Sequence, residues 1–226
     1  MENILPNQLQ EVIFSSSDPK YSRQISRLEK AGKLKKIAPR IFTPNLSDPP
    51  EVIIRRNLFT ILGHLYPGAV LSHRSALEFQ PTSTGHVFLT YTYTRKINLP
   101  GITLQVLAGP GHIEGDNILS GGLYVSQLER ALLENMEVSR KQGPESKTIP
   151  PAKLEERIEM IARVQGEAGL NTIRDKARVI AEKLGLQSEF KKLDKYISAI
   201  LRTHPSRILT SPLAMARAFG HPYDPA

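Results

Sequence analysis

An α+β protein in three parts is what the sequence predicts: a small basic helix-and-hairpin unit first, a small mixed or antiparallel β-sheet with helices in the centre, and a helical region last. Three observations carry it. A capped basic helix is followed at once by short strands, alternating apolar runs lie between residues 86 and 125, and helical spacing dominates past residue 150. The corresponding boundaries are 1–46, 47–140 and 141–226. The chain has 226 residues with 40% hydrophobic and 23% charged, enough to bury a core and too apolar for wholesale disorder. Thirty Lys and Arg against 22 Asp and Glu leave a net charge of +8, which favours polyanionic partners. There is no cysteine, which excludes disulfides, thiolate nucleophiles, cysteine zinc fingers and iron–sulfur clusters. No apolar run is long enough to span a bilayer, and Met1 to Pro6 carries an acid without a basic leader, so a membrane partner is not expected and a cytoplasmic location is.

The positive charge is concentrated. Eight basic residues stand against Glu29 alone between Pro19 and Arg40, while residues 46–125 hold five of each sign. Asp18-Pro19 reads as a helix start and Gly32 as its stop. Tyr21, Ile25 and Leu28 share one face; Lys20, Arg23, Gln24 and Arg27 share another, with Lys30 in the last turn. Lys33 to Pro44 then gives two short apolar-flanked runs around Ala38-Pro39-Arg40, a hairpin carrying Lys33, Lys35, Lys36 and Arg40. Leu5 to Phe14 reads as a helix packing behind. Helix, stop and basic hairpin in that order outline a winged helix-turn-helix. In it Lys20, Arg23, Gln24 and Arg27 would read base edges in the major groove of double-stranded DNA, and the hairpin cations would neutralise phosphates. Only Ser15 to Asp18 separate the two helices, so a middle helix must be very short or absent. The alternative for the same residues is a solvated basic face.

Further on, Val52 to Leu65 has helical spacing, ended by Tyr66-Pro67-Gly68. Ala69 to Leu71 reads as a buried strand, with Ser72 capping a short helix His73 to Phe79. His86 to Thr94 and Gly101 to Leu107 read as a hairpin around Asn98-Leu99-Pro100-Gly101, and Leu123 to Val125 as a third strand. Ser126 would cap a helix Gln127 to Val138, Val138 facing inward, and Lys141 to Pro151 is the best linker. Helices are predicted over Lys153 to Gln165, Asn171 to Leu184, Ser188 to Arg202 and Pro212 to Phe219.

Ile25-Ser26-Arg27-Leu28 to Gly32, Arg40-Ile41-Phe42-Thr43, Leu71-Ser72-His73-Arg74-Ser75-Ala76-Leu77, Leu99-Pro100-Gly101 and Glu129-Arg130-Ala131-Leu132-Leu133, in that order, resemble the AbiEi type of bacterial antitoxin and transcriptional regulator over about residues 5 to 140. The resemblance implies an N-terminal winged helix that binds the promoter of its own operon and a remainder that counteracts a toxin partner in phage defence. Leu170 to Ala177 and the stretches Thr210-Ser211-Pro212 and Pro222-Tyr223-Asp224-Pro225 are similar to the segment joining such a module to a Fic domain. Fic enzymes transfer AMP or related groups through a His-Pro-Phe-x-x-Gly-Asn loop; here His221-Pro222 is followed by Tyr223, and Glu134-Asn135 lacks the Ser or Thr of the Fic inhibitory helix, Arg130 standing there. The chain is therefore expected to be the regulatory half of a longer protein or a stand-alone relative, and not an enzyme by itself.

Other chemistry is weaker. His112, Glu114 and Asp116 could ligate a metal or simply face solvent; no metal or cofactor is expected. Gly109-Pro110-Gly111 to Gly115 has the wrong spacing for dinucleotide binding, and Ser72-His73 form no nucleophile arrangement. His64 reads as a helix-end residue, and Tyr91 and Tyr93 as one face of a strand. Arg74 and Arg130 are either buried structural arginines or contacts for the toxin or Fic partner. The rival reading of the whole is a protein-interaction module, and a third is a component of a split enzyme. A homodimer is plausible for a reader of paired half-sites.

Overall fold

The computed structural model describes residues 10–203 and shows a mixed α+β chain. Its N-terminal unit is β1 (Ile13–Phe14), α1 (Pro19–Lys30), β2 (Lys35–Ala38) and β3 (Ile41–Thr43), the strands forming an antiparallel sheet in the order β1-β3-β2. The helix predicted over Leu5 to Phe14 is not what these last residues form: Ile13 and Phe14 pair with Phe42 and Ile41 as a strand. Two adjacent β-propensity residues gain more from a waiting hairpin edge than from ending a helix. The β2–β3 turn is where the sequence places it, with Arg40 at φ 63 and its carbonyl accepting from Ser15 N at 2.9 Å.

Successive residues of β3 point to opposite sides. Phe42 joins Ile13, Ile25 and Leu34 in a small core sealed by α1, whereas Ile41, with Val12, Ile37 and Ala38, belongs to the main core. A polar clasp fixes this unit to the next two helices. The Glu11 carboxylate accepts from Arg56 and from the side-chain amides of Asn57 (2.6 Å) and Asn45 (3.0 Å), and Arg56 also reaches Asp48 at 2.8 Å. Asn57 breaks the helix predicted over Val52 to Leu65 into α2 (Pro50–Arg56) and α3 (Leu58–Leu65), turning its own side chain to Glu11 and to the Ile53 carbonyl. Phe14 stacks on His64 at 3.7 Å, adding an aromatic contact across the same junction.

The central sheet has six strands: β4 (Val70–Leu71), β5 (His86–Tyr91), β6 (Arg95–Leu99), β7 (Ile102–Ala108), β8 (Asn117–Ile118) and β9 (Tyr124–Val125), in the order β6-β7-β5-β4-β9-β8. The predicted hairpin between His86–Thr94 and Gly101–Leu107 is corrected. Those strands run parallel, and β7's antiparallel partner across the Pro100-Gly101 turn is β6. β6 is an edge strand whose Arg95, Lys96 and Asn98 are exposed, so it lacks the apolar alternation that reveals a buried strand.

Short helices α4 (His73–Glu78) and α5 (Leu128–Glu134) flank the sheet; Ser72 stands at the N-cap of α4 as predicted but makes no capping hydrogen bond with its side chain, and at α5 that position is taken by Gln127 and not Ser126. Ser72 Oγ accepts instead from Thr90 Oγ1 at 2.8 Å and meets His73 Nδ1, while Ser126 Oγ donates to Glu134. Glu134 accepts from His73 N at 2.9 Å, so one buried carboxylate serves the start of α4. Helix α5 ends before Val138, which stands 81% exposed and not inward.

The stretch Lys141 to Pro151 packs rather than hangs free, since Ser146 and Ile149 are buried, Ile149 N donates to Asn135 and Lys147 O accepts from Arg74 N. Beyond it α6 (Pro151–Leu184) joins the first two predicted C-terminal helices, with Gly166 at φ 71 and ψ −173 as the kink between them, and α7 (Gln187–Thr203) turns back along it. The predicted helix Pro212 to Phe219 lies outside the described residues. One apolar cluster runs from Val12 through the sheet to Ile200, so residues 47–140 and the helices after them share an interior.

Candidate nucleic-acid interface

The geometry of α1 follows from its ends and its two faces. Asp18 adopts an extended conformation and its carboxylate accepts from Lys20 N at 2.9 Å, Pro19 holds the first turn, and Gly32 at φ 68 releases the chain. Ile25 is buried, with Tyr21 and Leu28 packed beside it against Ile13, Leu34 and Phe42. With 3.6 residues per turn, Lys20, Arg23, Gln24 and Arg27 occupy an arc of about 100° turned away from that contact. Lys20, Arg23, Arg27 and Lys30 are exposed and Gln24 is half-buried. Arg23 Nε donates to the Pro19 carbonyl at 3.1 Å, laying its guanidinium toward the helix start.

The hairpin continues the same charge. Lys33, Lys36 and Arg40 are exposed and Lys35 is partly so, while the apolar partners Ile37 and Ala38 point inward. Among the described residues, Lys20, Arg23, Arg27, Lys30, Lys35, Lys36 and Arg40 form no ion pair. Their positive field is therefore not neutralised locally, and an external polyanion can engage it over a single exposed run of chain. Arg27 and Lys30 also lie in the last turn, where cations complement the helix dipole.

Arg74 and Arg130 do not present themselves to a partner. Arg130 is 0% exposed: its Nε donates to Glu134 at 2.8 Å, Nη1 to Asp116 at 2.6 Å and to the Gly111 carbonyl at 3.0 Å, and Nη2 to the Pro110 carbonyl at 3.1 Å. Arg74 clasps Glu78 with two bonds of 2.9 Å and donates to the Gly143 carbonyl. Both fasten loops to short helices, so the correction to the partner-contact reading is their burial. The Arg74–Glu78 and Arg130–Glu134 pairs have four-residue spacing, a signal present in the sequence. Asp116, fourteen positions from Arg130, offers no such signal.

The remaining candidates are dispersed. His112 stacks on Tyr124 at 3.9 Å, Asp116 serves Arg130, and the Glu114 carbonyl accepts from Gln127, so no metal-ligand group forms there among the described residues. Tyr91 and Tyr93 meet edge to face at 5.3 Å, Tyr93 lying beyond the end of β5. His64 sits in the last turn of α3 as expected, and burial lowers its pKa. His73 is buried with a φ of 53, its Nδ1 on Ser72 and its Nε2 3.5 Å from Glu137. Burial pushes the Glu137 carboxyl up, but contacts to His73 and Lys147 prevail and hold it at about 2. The Glu11 clasp, which the sequence did not reveal, holds its carboxyl at about 2, chiefly through the Arg56 hydrogen bonds. No helix among the described residues is long and apolar enough to cross a membrane. Comparison with family models, curated proteins and solved structures finds no match to the chain.

Proposed function

We propose that the chain is a sequence-specific DNA-binding transcriptional regulator of antitoxin type that acts on its own promoter in a bacterial toxin–antitoxin or phage-defence operon, without enzymatic activity of its own. The observation that carries the reading is the cationic surface of α1 and the β2–β3 hairpin, on which Lys20, Arg23, Arg27, Lys30, Lys35, Lys36 and Arg40 form no ion pair among the described residues, beside a small three-stranded sheet. In this reading Arg27, Gln24 and Arg23 meet base edges in the major groove, with Lys20 and Lys30 flanking, and Lys33, Lys35, Lys36 and Arg40 lie along phosphates. The resemblance of residues 5 to 140 to AbiEi regulators points the same way and supplies the toxin partner.

Fluorescence anisotropy of the chain with its own upstream DNA and with scrambled DNA, at two salt concentrations, tests it. Tight, sequence-dependent binding that weakens steeply with salt is expected. The Arg23→Ala, Arg27→Ala double variant should lose about 2 to 6 kcal/mol of that affinity and relax its specificity. Unchanged affinity in that variant would make the basic helix a docking face for an acidic protein.

A further inference from the structure

Helix α7 carries unpaired charge on one side only. Leu193, Ile197 and Ile200 are buried and join it to the main core. With 3.6 residues per turn, Lys191, Lys195 and Arg202 fall within an arc of about 40° on the side opposite those three residues. All three are exposed, and none forms an ion pair among the described residues. The acids of the helix, Glu189 and Asp194, lie off this arc and are both engaged. Glu189 stands 3.8 Å from Lys192 and accepts from Ser188 Oγ at 2.6 Å, and Asp194 accepts from Arg174 Nε. Lys192 is drawn away from the arc, its Nζ donating to the Met136 carbonyl at 3.0 Å. The outermost line of the helix is therefore a stripe of one sign.

What the stripe suits is decided by what it lacks. A protein interface is centred on aromatic or large apolar anchors, and a helix that lies on a membrane turns its apolar face to the lipid. Here the apolar face meets the core, and none of the exposed large apolar side chains among the described residues belongs to α7. A line of phosphates asks only for spaced cations and polar side chains between them. Ser198 stands between Lys195 and Arg202, and Arg202 Nε donates to the Ser198 carbonyl at 3.1 Å, which lays the guanidinium along the stripe. From Lys191 to Arg202 the helix rises about 16 Å, alongside about five phosphates of one DNA strand at about 3.4 Å each.

We propose that the outer face of α7 is a second, sequence-independent contact to the sugar-phosphate backbone of duplex DNA, in which Lys191, Lys195 and Arg202 each neutralise one phosphate. The inference rests on the reading of the chain as a DNA-binding protein and adds to α1 a contact that carries affinity and no choice of sequence.

The test uses the whole chain with its upstream duplex and a scrambled duplex, titrated across salt concentrations. The Lys191→Gln, Lys195→Gln, Arg202→Gln variant should bind both duplexes about ten- to hundredfold more weakly at about 0.1 M salt, with the slope of log affinity against log salt reduced by about 2 to 3. Its preference for the upstream duplex and its unfolding midpoint should be those of the parent. A control that removes three exposed, unpaired charges elsewhere, Arg55→Gln, Arg95→Gln, Lys153→Gln, should reduce the slope by less than about 1, which separates contact from net charge. If the Arg23→Ala, Arg27→Ala variant loses the preference while the α7 variant binds as the parent does, the DNA reading stands and this proposal falls. If the α7 variant alone weakens binding, the proposal stands and the α1 assignment falls. Absence of DNA binding by the parent overturns both. A slope change no larger than the control's, or a lost preference in the α7 variant, overturns the proposal. So does unaltered DNA binding with lost binding of labelled polyglutamate, which would make α7 a docking face for an acidic protein.

Discussion

Two sets of arginines and lysines in this chain have opposite fates. In the body, Arg130 is sealed from solvent and shared among two carboxylates and two carbonyls, and Arg74 is nearly so. In the N-terminal unit, seven cations from Lys20 to Arg40 stand in water without an acidic partner among the described residues. The first set holds loops to helices and is consumed by the fold. The second leaves the fold indifferent to it, which is the property expected of residues kept for an external ligand. The difference teaches that charge density alone says little until pairing and burial are known.

Breaking the buried set should have the largest effect. Arg130→Ala leaves the buried Asp116 and Glu134 without their cation and is expected to destabilise the chain by about 3 to 5 kcal/mol, read by urea unfolding. A loss below about 1 kcal/mol would mean that the cluster is hydrated and not the buried pin described here. The clasp between the two regions is intermediate. Glu11→Gln, in a pair partly open to water, should lower stability by about 1 kcal/mol at neutral pH. Because the folded pKa of Glu11 is about 2 and its ordinary value 4.5, this contribution is full above about pH 4.5 and fades as pH falls toward 2. The parent should therefore lose stability across that window more steeply than the variant, as followed by circular dichroism of thermal unfolding against pH. The smallest effect on the fold belongs to the exposed set: Lys35→Ala with Lys36→Ala should move stability by less than about 0.5 kcal/mol. The same pair should reduce the salt dependence of DNA binding by about one phosphate contact per lysine, equally for cognate and scrambled sequences.

How much of this was legible depended on whether the determining partner was close in sequence. Asp18, Gly32 and Ala38-Pro39-Arg40 act on their own neighbours, and the helix and hairpin they delimit form where the pattern puts them. Ile13 and Phe14 were misread because their strand identity is conferred by Ile41 and Phe42 from far along the chain. Strand β6 was missed since exposed Arg95, Lys96 and Asn98 erase the alternation, and with it the parallel pairing of β5 and β7. Ser72 and Ser126 looked like caps, but their hydroxyls turn to Thr90, His73 and Glu134, a buried network that no spacing rule exposes. Of the candidate interface, the shared outward arc of α1 was readable from spacing, and the absence of ion pairs at seven of its cations, among the described residues, was not, because pairing is a property of three dimensions.

Strand β3 is a partition with an interior on either side: Phe42 faces the small core under α1, Ile41 the large one. The chain boundary near residue 46 is thus not a packing boundary. For anyone wishing to re-target the molecule, the helix-and-hairpin unit cannot be exchanged as a cassette without matching two interiors at once, whereas the outward arc of α1 can be rewritten residue by residue. Modularity here resides in a helix face and not in a domain.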